Sequence, residues 1–355
     1  MSAFWFLSAY LAQTVLAQYP ATDCTSFTTN GIAASTFQYY RFYDFRNLNP
    51  TSSCFSNPLS SSVSSTRTKI VKDESWTSDW FVRDFPRNSP GGTVIPVNFT
   101  NSHVSITNST DQSRNYNSYL TLSTTRSTPL DQPSGEITYT EHNITHASIR
   151  VFSRIHGSPG AIAGIFTYKN DTQEADIEIF TRAPANKIQY SNQPADLGAP
   201  DWTLIPGATS NVTLPKEGRW DEWMVHRLDW VPGRTVVYAD EVQVNTSTLH
   251  VPSAVVDPIE GTRLYLDMWG ANSTWSGSME VGKSAFFDVQ WIEVLFNTTD
   301  SAKATDLGKK KCDVGAVDNE AVKQAAGVKE AVGGWGLFET SFEDTTCLED
   351  EEVLG

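Results

Sequence analysis

At 355 residues the chain is long enough for one large domain or two modest ones, and its composition is that of a globular protein. Its formal net charge of −15, from 26 Lys and Arg against 41 Asp and Glu, argues against nucleic acid and anionic membrane as partners. Both need a basic patch, whereas a neutral polysaccharide does not.

Residues 1–17 read as a secretory signal. An apolar run from Phe4 to Leu11 leads into Thr14-Val15-Leu16-Ala17, with the short Val15 and small Ala17 where a signal peptidase would look, although no Lys or Arg precedes the run. Cleavage is expected before Gln18, and a segment this short cannot span a bilayer. The acidic end, from Cys347 to Glu352, lacks the apolar tail of a membrane helix or lipid anchor.

The four cysteines, Cys24, Cys54, Cys312 and Cys347, form no CxxC pair that would suggest zinc. Of the three connectivities, nearness in sequence favours Cys24 with Cys54 and Cys312 with Cys347. Sequons at Asn98, Asn108, Asn143, Asn170, Asn211, Asn245, Asn272 and Asn297 mark glycosylation acceptors and suit a eukaryotic chain that is secreted to the exterior or the cell wall.

From Thr36 to Thr299 short β-rich runs alternate with Gly, Pro, Asn and Ser punctuation. A Ser/Thr-rich loop is expected over 55–75. Strands are expected at 118–123, 135–139, 147–153, 161–168, 174–180, 187–190, 223–230, 235–238, 264–269 and 286–296. Runs at this spacing fit an all-β, two-sheet antiparallel jelly-roll sandwich over 18–300. Beyond it, 301–355 reads as an extension held by its own disulfide, with a short amphipathic helix from Asp318 to Val332 stopped by Gly333-Gly334.

The most informative stretch is Glu174-Ala175-Asp176-Ile177-Glu178. On a strand its three carboxylates share one face while Ala175, Ile177 and Ile179 enter the core. Three acids on one face repel one another, so stability gives no reason for them. Glycosidic hydrolysis does, because it needs a protonated carboxyl and an ionised carboxylate flanking a sugar. The competing reading is a solvated strand face.

The surroundings sharpen this. Gly164-Ile165-Phe166-Thr167-Tyr168, a polar turn, the acidic strand and Lys187-Ile188-Gln189-Tyr190 resemble the catalytic hairpin of glycoside hydrolase family 16, in its lichenase branch and the related fungal cell-wall transglycosylases. Leu228-Asp229-Trp230-Val231-Pro232 with Tyr238-Ala239-Asp240 resembles that family's core strand pair. Leu266-Asp267-Met268-Trp269-Gly270 with Trp275-Ser276-Gly277 resembles its Trp-bearing strand and loop, and 286–296 its closing strand.

The resemblance runs over 118–297 and implies a concanavalin A-like jelly roll with a concave substrate cleft, acting as a retaining endo-β-glucanase. It assigns Glu174 as nucleophile, Glu178 as general acid and base, and Asp176 as the residue that steadies Glu174. It also implies sugar contacts from Glu136, Phe166, Tyr168, Gln189, Trp269 and Trp275, although core packing competes for both tryptophans. Trp230 and Trp291 are read as core.

The chain departs from the pattern at Thr138, where the branch has an Arg paired with its acid, and at Asp267 and Ser191, where it has Asn. Gln290 replaces the Asp of the branch's calcium site, with Asp288 close by. No cofactor is expected, a structural calcium at that position is left open, and the partner is a polysaccharide bound by a monomer. Hydrolysis, transglycosylation through the same intermediate, and lectin-like binding without turnover remain as readings.

Overall fold

The sheet that carries the acids owes its register to strict alternation. In Gln173–Phe180, Ala175, Ile177 and Ile179 are fully buried in the central core while the acids face the other way. The computed structural model describes residues 24–48, 67–71, 74–86, 95–110, 116–198, 202–254, 261–299 and 310–314. The signal segment, Cys54, Cys347, the loop as far as 66 and the helix at 318–332 lie outside the described residues. Among the described residues no helix is long and apolar enough to cross a membrane.

Twenty strands are described. The first seven are β1 (Ser26–Thr29), β2 (Thr36–Phe37), β3 (Tyr39–Asp44), β4 (Thr68–Val71), β5 (Trp80–Val82), β6 (Asn98–Phe99) and β7 (Val104–Asn108). Next come β8 (Ser118–Thr125), β9 (Pro133–Tyr139), β10 (Ile144–Gly157), β11 (Ile162–Asn170), β12 (Gln173–Phe180), β13 (Lys187–Asn192) and β14 (Thr209–Thr213). The last six are β15 (Met224–Val231), β16 (Arg234–Ala239), β17 (Val242–Ser247), β18 (Arg263–Trp269), β19 (Ser284–Thr298) and β20 (Lys311–Val314). All ten strands expected from the sequence are present, most of them a few residues longer.

The front sheet runs β14-β13-β12-β11-β18-β9-β5, antiparallel throughout. The back sheet runs β17-β16-β15-β10-β19. On the far edge of β19, β8 pairs with its first half and β3 with its second, and these are flanked by β7 and β4. Strand β9 joins the sheets: Pro133 and Ser134 pair on the back side, while the residues after them pair in the front sheet. Between the sheets lies one apolar core, with Ile165, Ile177 and Leu266 from the front meeting Ile149, Leu228 and Val294 from the back. The architecture is the two-sheet sandwich expected from the sequence.

A third layer was not anticipated. Strands β2, β1 and β20 form a small sheet in which β1 pairs parallel to β20. It covers the outer face of the back sheet with a second apolar cluster of Phe27, Phe37, Tyr40, Phe42, Leu295 and Val314. Trp291 belongs to this outer cluster, stacked between Phe42 and Phe152, whereas Trp230 sits in the central core.

The layer corrects the disulfide expectation. Cys24 is bonded to Cys312, 288 residues away, and not to Cys54; Cys312 is therefore not bonded to Cys347. The cause is the register of the parallel pair, which sets Phe27 beside Cys312 and leaves the cysteine Cα atoms 5.8 Å apart. Nearness in sequence was a poor guide because loop length adds to closure entropy only logarithmically, whereas strand pairing fixes position directly.

The third layer also seals charges. Arg150 and Arg227 are fully buried on the outer face of the back sheet. Arg150 pairs with Glu293 and, at 3.0 Å, with Glu241. Arg227 pairs with Asp229 at 2.6 Å and Glu241 at 3.0 Å, and Asn30 from the β1–β2 turn accepts a further Arg227 hydrogen bond at 2.7 Å. A network of this kind holds only while each charge keeps its partners.

Candidate active site

Cross-strand register aligns the outer face of the front sheet into rows. Glu136, Asp267, Gly164, Glu178 and Gln189 lie opposite one another on β9, β18, β11, β12 and β13. The next row is Thr138, Tyr265, Phe166, Asp176 and Ser191, and the one after it places Tyr168 opposite Glu174. An open sheet face would leave these side chains in solvent, yet Glu136, Asp267, Asp176, Gln189 and Phe166 are each 7 % exposed or less. Glu174 and Glu178 are partly exposed. The face is recessed.

Its walls are loops and edge residues. On one side Arg83, just past β5, lies over Phe85 and Phe99 and bonds Glu136 at 2.8 Å. This guanidinium comes from just past β5, while Thr138 stands two residues after Glu136 on β9. Its hydroxyl is 3.4 Å from the same Glu136 oxygen. At another side Trp275, 40 % exposed, meets Phe180 edge-on, and its carbonyl accepts from Arg182 at 2.9 Å.

The three acids occupy distinct environments. Burial raises the Asp176 pKa well above the ordinary carboxyl value, and the charges of Glu174 and Glu178 push it the same way. A hydrogen bond between Asp176 and Glu174 adds to the rise, and Gln193 opposes it by donating to Asp176 Oδ2 at 3.2 Å. Asp176 therefore holds its proton to higher pH than an ordinary carboxyl. Glu178 Oε2 accepts from Gln189 Nε2 at 2.8 Å.

The remaining expected residues divide by surroundings. Phe166 is buried and stacks on Tyr265, with ring centroids 5.0 Å apart and planes 11° from parallel. Tyr168 is half-buried, meets Tyr265 edge-on and donates to Asp171 at 2.9 Å. Trp269 packs partly against Val97, Phe99 and Ala271. A Cβ at Gly164 would sit 2.5 Å from Asp267 Oδ1, so a side chain there would force the Asp267 carboxylate to move. Sequence reasoning missed Arg83, Tyr265 and Gln193, which lie outside the hairpin motif; Tyr265 alone had a signal, as the i−2 neighbour of Asp267 on an alternating strand.

Among the sequons, Asn108, Asn170 and Asn211 are exposed. Asn98, Asn143, Asn245, Asn272 and Asn297 are partly buried. Asn297 uses its amide internally, accepting from the Gln38 backbone at 2.9 Å and donating to the Thr36 carbonyl at 3.4 Å.

The residues at the calcium position do not fit that ion. Asp288 Oδ2 takes the Arg154 guanidinium at 3.0 Å and lies 2.9 Å from His156 Nε2, while Oδ1 accepts from Thr121 at 2.9 Å. Arg154 already supplies the cation, and Gln290, fully buried, brings no charge. Among the described residues no three His, Cys, Asp or Glu side chains form a group able to hold a metal.

No family model and no curated protein matches the chain. Among solved structures it is similar to a prokaryotic beta-1,3-1,4-glucanase (lichenase) derived from a mouse hindgut metagenome, at 15% identity and a TM-score of 0.45 over 62% of this chain and 93% of that one. It is similar to a Bacillus licheniformis beta-glucanase at 16% identity and 0.46, over 61% and 92%. A third similarity is to the catalytic domain of an endo-1,3-beta-glucanase (laminarinase) from Thermotoga petrophila, at 13% identity and 0.44, over 62% and 92%. Overlaps this loose carry no residue-by-residue correspondence, and the chemistry of the recessed face rests on its own geometry.

Proposed function

We propose that the chain is a secreted, retaining, endo-acting β-glucan hydrolase of the glycoside hydrolase family 16 kind. The observation that carries the reading is the sharing of one recessed face by Glu174, Asp176 and Glu178, with the buried middle acid hydrogen-bonded to Glu174. An ionised Glu174 attacks the anomeric carbon while Glu178 gives its proton to the leaving oxygen, and a covalent glycosyl-enzyme forms. Glu178, now ionised, takes a proton from water, which displaces Glu174 with net retention. Asp176 keeps its proton and again hydrogen-bonds Glu174 as the nucleophile regains its charge. The Phe166, Tyr168 and Tyr265 rings, with Trp275 at another wall, offer flat apolar surface for pyranose rings.

The deciding experiment is a screen of wild type and Glu178→Gln on mixed-linkage glucan, β-1,3-glucan, xyloglucan and chitin, with a labelled oligosaccharide acceptor present. Shorter products from wild type alone support hydrolysis. Labelled longer products identify transglycosylation through the same intermediate. Binding with no turnover by either protein would remove the enzymatic reading in favour of a lectin-like one.

A further inference from the structure

Strand β14 ends the front sheet, and its register decides which of its side chains look onto the substrate face. Thr209, Asn211 and Thr213 stand opposite Ser191, Gln189 and Lys187 of β13. The Ser191 and Thr209 hydroxyls lie 3.1 Å apart, and Lys187 Nζ donates to Thr213 Oγ1. The alternate residue Val212 packs against the central core, with buried Ala208 and Leu214 flanking the strand. Asn211 therefore extends the row of Glu136, Asp267, Gly164, Glu178 and Gln189 by one strand and faces the same side as Glu178. Two strand spacings put its backbone about 10 Å from that of Glu178.

Asn211-Val212-Thr213 is also a sequon, and Asn211 is exposed. Other sequons are placed differently. Asn272 Oδ1 accepts from the Arg126 guanidinium, and Asn297 uses both ends of its amide internally. Asn170 is exposed at the end of β11, where its Oδ1 accepts from the Thr172 backbone and hydroxyl at 3.1 and 3.0 Å. Asn108 is exposed on β7, which pairs with β8 at the flank of the back sheet. Of these three exposed acceptors, Asn211 is the one in the row of Glu178.

We propose that Asn211 carries an N-linked glycan that caps the β14 end of the cleft, so that a β-glucan bound across the acids is confined to the stretch between Arg83 and β13. This deepens, and rests on, the reading of the chain as a secreted β-glucan hydrolase. Attachment joins the Asn211 side-chain nitrogen to the anomeric carbon of an oligosaccharide carried on a lipid diphosphate. The lipid diphosphate is the leaving group, and the amide gives up one proton. A branched glycan is longer than two strand spacings, so it fills the volume into which a polymer would continue past Gln189. An oligosaccharide too short to reach β14 never meets it. The cap thus selects by chain length through a built-in clash, without touching the reacting groups.

The test uses the full chain secreted from a eukaryotic host. Mass spectrometry of the peptide holding Asn211 reads its occupancy, and KM and kcat are measured on polymeric β-glucan and on a short β-gluco-oligosaccharide. Asn211→Gln and Thr213→Ala both abolish the sequon, the second with the asparagine kept, whereas Thr213→Ser preserves it. Where a variant fails to fold, trimming folded wild type to one N-acetylglucosamine with an endoglycosidase reaches the uncapped state directly. Expected are an occupied Asn211 and a fall of about three- to tenfold in polymer KM, at unchanged kcat, in both sequon-less variants and the trimmed protein. The short substrate and Thr213→Ser are expected to show no change. A bare Asn211, a polymer KM that does not respond to loss of the glycan, or a gain confined to Asn211→Gln overturns the cap. If wild type cleaves no β-glucan, the hydrolase reading fails, and retardation of the same proteins in native gels containing β-glucan, stronger once the glycan is removed, still decides the cap.

Discussion

Gln189 Nε2 reaches across from β13 to hold Glu178 Oε2 at 2.8 Å, so one carboxyl oxygen is an anchored acceptor and the other is the position from which a proton can leave. That relationship gives the first expectation. Glu178→Gln lowers kcat about 10²- to 10⁴-fold, the usual range for losing a general acid. Gln189→Met leaves the acid in place but unanchored and lowers kcat about tenfold. Reducing-end release from the polymer that wild type cleaves measures both.

The aromatic residues separate substrate contact from packing. Trp230 is fully buried and its indole N–H donates to the Pro252 carbonyl at 2.8 Å. Trp230→Ala therefore destabilises the protein by about 3–5 kcal/mol. Trp275→Ala, at a partly exposed wall position, raises KM and leaves denaturant unfolding nearly unchanged. Equal destabilisation by the two substitutions would show that Trp275 belongs to the fold rather than to substrate binding.

His226 sets a pH window for stability. It is fully buried on β15, and burial pushes its pKa down to about 4. Its unfolded value is about 6.5, so between these limits the unfolded chain binds a proton that the folded chain refuses, and stability is lost as pH falls through that window. The full loss is on the order of 3 kcal/mol. Asp176 has the opposite sign: its folded pKa is raised, so its contribution declines as pH rises from the unfolded value of about 3.9. Chemical denaturation at several pH values checks both, with His226→Gln flattening the acid side and Asp176→Asn gaining relative stability towards neutral pH.

The outer layer should behave as a clasp. Proteolysis without reduction yields a peptide containing Cys24 joined to one containing Cys312, and Cys312→Ser costs about 2–5 kcal/mol of stability. A Cys24–Cys54 peptide instead would contradict the strand pairing of β1 with β20.

Arg150→Met leaves Glu293 and Glu241 buried with one partner fewer, and it is expected to cost about 3–5 kcal/mol. Arg219→Ala, removing an exposed pair with Asp221, is expected to leave stability nearly unchanged. Urea unfolding midpoints at fixed pH compare the two.

Much of the site was legible along the chain because it is built from one strand. Period-two alternation put Glu174, Asp176 and Glu178 on a common face, and Gln189 followed from the adjacent run. Arg83, Tyr265 and Gln193 were not legible in this way. Each reaches the face from another strand or from beyond a strand end, where the pattern of its own segment says nothing about what it meets.

The amino-acid order alone settled which residues face the core and which face away from it, since that depends on local geometry repeating every two residues. It also settled the sandwich, because alternating runs of that length must bury one face against another sheet. Tertiary structure decided the rest: the third layer, the Cys24–Cys312 bond, the sealed Arg150 and Arg227 charges, and the supply of a guanidinium to Glu136 by Arg83. These depend on which distant segments pair, and pairing is chosen by the packing of whole sheets rather than by any stretch short enough to read in sequence.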